Sequence, residues 1–257
     1  MIFIRTIRCD FARILSSGRT YLCLVIMSAI TFLSFLDGQD FDLPASAFYF
    51  AMNGTDSQTY LLSLIFGFLI YGGCYIDDFQ SMNVRHQLMR TKLGIYVASK
   101  TFSAYICSIV SFVLSFLIAG IVLSVFKDWT VAESMNYVAH TEFGFLYEKG
   151  YCLAYGCIVA LEWGLLSGML TAFCQYLSLY IYDNVLCASM TFVLAFCLNY
   201  ISVQIDAKQT FLTYFHAMSH NTSNYSGIIL CVAISVLVMI ISGVLCMIRI
   251  RKRVSNE

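Results

Sequence analysis

Charge is scarce in this chain: 12% of its 257 residues are Asp, Glu, Lys or Arg, about half of the roughly 25% usual in soluble domains. Proline occurs once. No Gly-x-x-x-x-Gly-Lys-Ser/Thr phosphate loop is present, which excludes nucleotide hydrolysis by that route. No basic stripe exists beyond the flanks of the apolar runs, which excludes a nucleic-acid partner. The eleven cysteines form no Cys-x-x-Cys pair. Nearly all lie within apolar runs, where cysteine behaves as a small buried hydrophobe and not as a metal ligand or disulfide half. Intramembrane proteolysis fails too. All four histidines sit outside the apolar runs, Gly164-Leu165-Leu166-Ser167-Gly168 has the wrong spacing for a serine nucleophile, and Tyr182-Asp183 has no Gly-x-Gly-Asp partner.

What the chain has instead is apolar length. Hydrophobic residues make up 60%, gathered into six runs that reach the roughly 20 residues needed to cross a bilayer. They are Thr20–Leu36, Tyr60–Ile76, Thr101–Phe126, Tyr151–Tyr182, Val185–Val203 and Tyr225–Ile248. The expected fold is an all-α membrane protein with six transmembrane helices over residues 20–248. Only Asp183-Asn184 separates the fourth and fifth runs, so a tight turn is needed there.

Residues 1–19 carry Ile4, Ile7, Phe11 and Ile14 at helical spacing, with Arg5, Arg8 and Arg13 on other faces. This predicts an amphipathic helix lying in the membrane interface. Ala45-Ser46-Ala47 resembles a signal-peptidase box but follows an acidic segment, Asp37 to Asp42, so the first span is expected to be retained. Lys and Arg set the orientation. Twelve flank alternate ends: Arg5, Arg8, Arg13 and Arg19; Arg85, Arg90, Lys92 and Lys100; Arg249, Arg251, Lys252 and Arg253. The opposite loops hold only Lys127, Lys149 and Lys208. The positive-inside bias predicts both termini, the 77–100 loop and a basic tail over 249–257 in the cytoplasm.

That loop is the longest polar interruption on the basic side. Asp77 and Asp78 open it and Arg85, Arg90 and Lys92 follow, the charge order a helix dipole favours. Phe79, Met82 and Met89 are expected to form an apolar ridge suited to a partner's groove. Within the spans, Glu162 is the one acid deep in an apolar run. Membrane carboxylates usually face a cavity or partner, which makes Glu162 and its neighbour Trp163 candidates for a substrate pathway. Gly164 and Gly168 form a Gly-x-x-x-Gly that permits close helix packing.

This layout resembles the permease subunits of type-2 ABC exporters, the peptide, lantibiotic and drug efflux type. The residues that carry the likeness are Asp77 and Asp78, then Arg85, Arg90 and Lys92, then Tyr96-Val97-Ala98-Ser99-Lys100 on the approach to the third span. Ser81-Met82 stands where the family often has Gly-Thr. The resemblance implies an elbow helix over 1–19 and a coupling helix in the 77–100 loop. That helix would meet a separate ABC ATPase through Asp77, Asp78, Phe79, Met82, Arg85, Met89 and Arg90. It also implies a homodimer or a heterodimer with a second permease in a bacterial plasma membrane, no cofactor in this chain, and ATP with Mg in the partner ATPase. The cargo would be a hydrophobic or amphipathic peptide, bacteriocin or drug. Two other classes remain open on the residues alone: a non-transporting sensor or scaffold, and a secondary transporter, although the latter normally shows more intramembrane ionisable residues.

Overall fold

The computed structural model describes residues 2–37, 46–55, 57–81, 83–129, 143–205 and 226–256. Among them every regular element is a helix: α1 (Ile2–Ser16), α2 (Gly18–Leu36), α3 (Ala47–Thr55), α4 (Gln58–Leu61), α5 (Ser63–Tyr71), α6 (Cys74–Gln80), α7 (Asn83–Arg90), α8 (Leu93–Ser124), α9 (Gly144–Glu148), α10 (Cys152–Ser178), α11 (Asn184–Ile205) and α12 (Ser226–Asn256).

Six stretches are long and apolar enough to cross a membrane: Gly18–Leu36, Thr59–Gln80, Leu93–Ser124, Cys152–Ser178, Asn184–Ile201 and Gly227–Val254. The protein is a multi-pass helical membrane protein. The second span is a composite of α4, α5 and α6, interrupted at Leu62 and at Gly72-Gly73. α8 and α12, of 32 and 31 residues, are each about 47 Å long at 1.5 Å per residue. They overrun a hydrocarbon layer of about 30 Å. α12 therefore carries Arg249 to Arg253 as its own last turns, where a tail was expected.

α10 is the central span and α12 the most peripheral, 78% and 17% buried respectively. Lipid tails are as apolar as leucine, so packing here depends on close approach of backbones. Gly164 and Gly168 provide it along α8. A Cβ on Gly164 would lie 3.0 Å from the Ile109 carbonyl oxygen, and one on Gly168 would lie 2.9 Å from the Tyr105 ring. Hydroxyls bridge the seams of α10: Ser108 of α8 and Ser167 meet at 2.6 Å, and Ser235 of α12 donates to the Leu165 carbonyl at 3.0 Å.

The turn between α10 and α11 falls at the expected break before Asn184. Asp183 caps α11, its Oδ1 accepting from the backbone N–H groups of Val185 (2.8 Å) and Leu186 (3.0 Å). This satisfies two of the helix's orphan donors.

At the opposite end, the segment after the first span holds more structure than a loop. α3 inserts Phe48, Phe50, Ala51 and Met52 fully into the bundle, against α2, α8 and α10. Its short length and lack of a bilayer-length run concealed it in the sequence. Ala47 N–H donates to the Asp128 carbonyl at 3.0 Å, and Thr59 Oγ1 donates to Asp37 Oδ2 at 2.7 Å.

Candidate functional site

On α1, Ile7, Phe11 and Ile14 turn toward the bundle, whereas Ile4 stays exposed. Asp10 lies on the same face, three residues after Ile7 and four before Ile14, and is buried with them. A carboxylate taken out of water needs compensation. Asp10 Oδ1 receives it from Lys100 Nζ at 2.8 Å and from the Tyr71 hydroxyl at 2.7 Å. Lys100, whose side chain is 1% exposed, also lies 3.2 Å from Asp78 Oδ2 and donates to the Tyr71 oxygen at 2.9 Å. Asp78, at 0% exposed, completes the cluster by accepting from Arg13 Nη1 at 2.7 Å and from the Tyr96 hydroxyl at 3.0 Å.

Two acids meet two bases here, so the cluster is neutral as a unit. It joins α1 (Asp10, Arg13), the second span (Tyr71, Asp78) and α8 (Tyr96, Lys100). The Lys100 ammonium also lies 5.4 Å and 5.8 Å from the ring centres of Tyr71 and Tyr96, within cation–π reach. Burial works against the charge of the half-buried Arg13, but its hydrogen bond and attraction to Asp78 outweigh this and hold its pKa above the ordinary value.

α7 is connected to α6 by Ser81 and Met82 and to α8 by Thr91 and Lys92, and its Gln87 and Arg90 line one recess with Asp10, Arg13 and Lys100 of the cluster. Val84 is buried and Leu88 packs against the core, one turn apart, while His86, Met89 and Arg90 face outward. α7 is thus amphipathic, resting on Val84 and Leu88 with a polar outer face.

The expected coupling residues separate into distinct roles. Asp78 points inward and offers no surface to a partner, because its position on α6 places it between Arg13 and Lys100. Asp77 is partly exposed, accepts from Asn184 Nδ2 at 3.1 Å and lies 3.7 Å from Arg19 Nη1. Phe79 belongs to α6, and the Arg253 guanidinium of α12 stacks on it at 4.2 Å. Met89 is 76% exposed on α7. Phe79 and Met89, expected on one ridge, therefore lie on two different helices. Met82 and the side chain of Arg85 lie outside the described residues.

Lys100, read as a loop cation at the entry to the third span, lies two turns inside α8, which begins at Leu93. Asp10 escaped notice, although a carboxylate in register with Ile7 and Ile14 was its visible signal.

Arg253 also donates to the Tyr182 hydroxyl at 2.6 Å, and Arg249 stacks on Tyr180 at 4.3 Å. α12 is thereby fastened to the α10–α11 turn at the same end of the bundle as α7 and the ionic cluster.

Glu162 is fully buried in α10. Trp163 packs edge-to-face on Tyr60, ring centres 5.3 Å apart, and Tyr60 packs edge-to-face on Phe112 at 5.9 Å. α10 packs here against α8 and α5 of the second span. Among the described residues no group of three or more His, Cys, Asp or Glu is arranged to hold a metal, and no disulfide joins the cysteines.

Taken together, fold and site define a membrane protein with six helices of spanning length and a small amphipathic helix beside a buried ionic cluster. Compared with known protein families and with curated proteins, the chain matches no family model and no individual sequence.

Proposed function

We propose that this chain is the permease subunit of an ATP-driven exporter of the type-2 ABC kind, with α7 as its coupling helix and α1 as its elbow helix. The observation that carries the reading is the mounting of α7. It is a two-turn amphipathic helix between the second and third spans, held to the bundle by Val84 and Leu88 and sharing a recess with a cluster that ties both spans to α1.

In this reading the basic end faces the cytoplasm and the outer face of α7, around His86, Met89 and Arg90, meets a separate ATPase that binds ATP and Mg. A shift of α7 reaches α6 and α8 through their short connections. The ionic cluster makes the ends of α1, the second span and α8 move together instead of bending separately. Nucleotide then biases two arrangements of the bundle, as differential binding to two states requires. A second permease copy, identical or related, supplies the other half of the pathway in a bacterial plasma membrane. The cargo is hydrophobic or amphipathic, in keeping with aromatic-rich spans and few buried charges. Glu162 acts along the pathway only in an arrangement that uncovers it.

Site-specific photo-crosslinking from position 86 or 89 in the native membrane tests the reading. The expected adduct is a polypeptide with a phosphate loop, whose ATPase activity is lost from the complex in Met89→Asp while the permease still inserts. An adduct without nucleotide-binding motifs, or full ATPase coupling in Met89→Asp, overturns it in favour of a scaffold or sensor.

A further inference from the structure

Three recesses meet around the start of α8. The first is an apolar groove of about 310 Å³ between α8 and α12, floored by Val97, Thr101, Phe102, Met239 and Met247 and closed at one end by Phe3 of α1. Gly94 and Gly243 keep it open: a Cβ on either would touch only Met247 Sδ at 3.8 Å or Thr101 Oγ1 at 3.9 Å. The second, about 820 Å³, is lined by Arg90, Lys92 and Arg251 with Ile2 and Met89. The third, about 610 Å³, runs between α1 and α7 and holds Arg5, Arg13, Arg90 and Lys100, with Asp10 as its acid.

Their linings are neighbours along the chain. Leu93 of the second recess and Gly94 of the groove are consecutive on α8. Arg251 and Met247 are one turn apart on α12, and Ile2 and Phe3 are consecutive on α1. Arg90 and Thr91 line both basic recesses. The basic recesses therefore lie beside the start of an apolar groove that runs along two membrane-spanning helices.

The cations lining these recesses fall into two groups. Arg13 and Lys100 are committed to Asp78 and Asp10. Arg5, Arg90, Lys92 and Arg251 have no carboxylate within 4 Å among the described residues. Uncompensated positive charge beside an apolar groove at membrane depth matches a molecule with an anionic head and an acyl tail.

We infer that this recess is a binding site for one anionic phospholipid, its phosphate held by Arg90 and Arg251 with Arg5 and Lys92 beside them, and an acyl chain in the Gly94–Gly243 groove. A bound lipid would bridge α1, α7, α8 and α12 and so set how firmly α7 is seated. The inference does not depend on an ATPase partner.

Native mass spectrometry of the full chain in detergent, titrated with equimolar phosphatidylglycerol and phosphatidylcholine, tests it. Phosphatidylglycerol is expected to be retained preferentially. At about fivefold per juxtamembrane cation, Arg90→Gln with Arg251→Gln should weaken it roughly 30-fold. Arg90→Lys with Arg251→Lys should stay within about twofold of the parent, because the charge is kept. Gly243→Leu fills the groove without lowering helix propensity and should weaken phosphatidylglycerol severalfold with the thermal transition unchanged or raised. Glycerol 3-phosphate in excess should not displace the lipid. Equal retention of the two lipids, a Lys variant as weak as the Gln variant, full binding by Gly243→Leu, or displacement by glycerol 3-phosphate would each overturn the site. The last would identify a soluble-phosphate pocket. The lipid titration uses the chain alone, without an ATPase, and the crosslink is read on the parent residues at 90 and 251, so the two readings fail separately.

Discussion

Replacing Lys100 by methionine isolates the energetic role of the ionic cluster. Methionine keeps an unbranched apolar stem between Tyr71 and Tyr96 and removes only the ammonium. That ammonium lies 2.8 Å from Asp10 and 3.2 Å from Asp78. Each contact is a gross attraction of roughly 5–6 kcal/mol at an effective dielectric of 20. Most of this offsets the cost of burying the charges, so the net value of the intact cluster is small. Breaking it is different. Two buried carboxylates would then share the single cation of Arg13, and an uncompensated buried charge costs about 3–5 kcal/mol.

For a chain of this size that corresponds to a fall of roughly 6–20 °C in the unfolding midpoint, at about 2–4 °C per kcal/mol. Intrinsic fluorescence during thermal unfolding in detergent reads it directly. The decisive arm is the double variant. Adding Asp10→Asn to Lys100→Met restores neutrality, leaves the Arg13–Asp78 pair intact and keeps an oxygen for the Tyr71 hydroxyl. It should recover more than half of the loss, a coupling within the 0.5–3 kcal/mol range of contacting residues. A Lys100→Met protein with an unchanged midpoint, or a double variant whose losses simply add, would refute the compensated-cluster account.

The remaining expectations concern single contacts. Asp183→Ala removes the cap of α11 and should cost about 1 kcal/mol, with Asp183→Asn near parental in the same melt. Gly168→Leu drives a side chain into Tyr105 and should destabilise by about 1–3 kcal/mol through overpacking; a neutral result would show that α8 and α10 separate without penalty. Met89→Asp on the outer face of α7 should leave the midpoint within about 0.5 kcal/mol of the parent while abolishing the crosslink expected at that face. Arg253→Ala removes the stack on Phe79 and the bond to Tyr182, and should loosen α12 at the basic end, seen as faster amide exchange over residues 245–256 with the rest unchanged.

Much of the architecture was legible because bilayer length and charge bias are one-dimensional signals. Apolar runs marked six spans, and the polar pair Asp183-Asn184 marked the tight turn. A break in hydrophobicity between the second and third spans marked the segment that becomes α7. Boundaries were less legible. α8 starts eight residues before its apolar run because Tyr96, Ser99 and Lys100 face the protein, where polar groups find partners that lipid does not offer. α3 was hidden for a related reason: nine residues cannot span a membrane, yet they can be buried by neighbours that do.

Composition and order along the chain determined that this protein crosses a membrane six times with its cations gathered at one end. They also determined which segment projects from that end between the second and third spans. Only the tertiary structure decided what those charges do. Asp10, Asp78 and Lys100 are far apart in sequence, and each alone reads as a polar residue at a membrane flank. Brought together by α1, the second span and α8, they become a neutral buried cluster, because a charge removed from water persists only beside its opposite. The same packing left Arg5, Arg90, Lys92 and Arg251 without a carboxylate partner among the described residues, beside an apolar groove, a division that no count along the chain distinguishes.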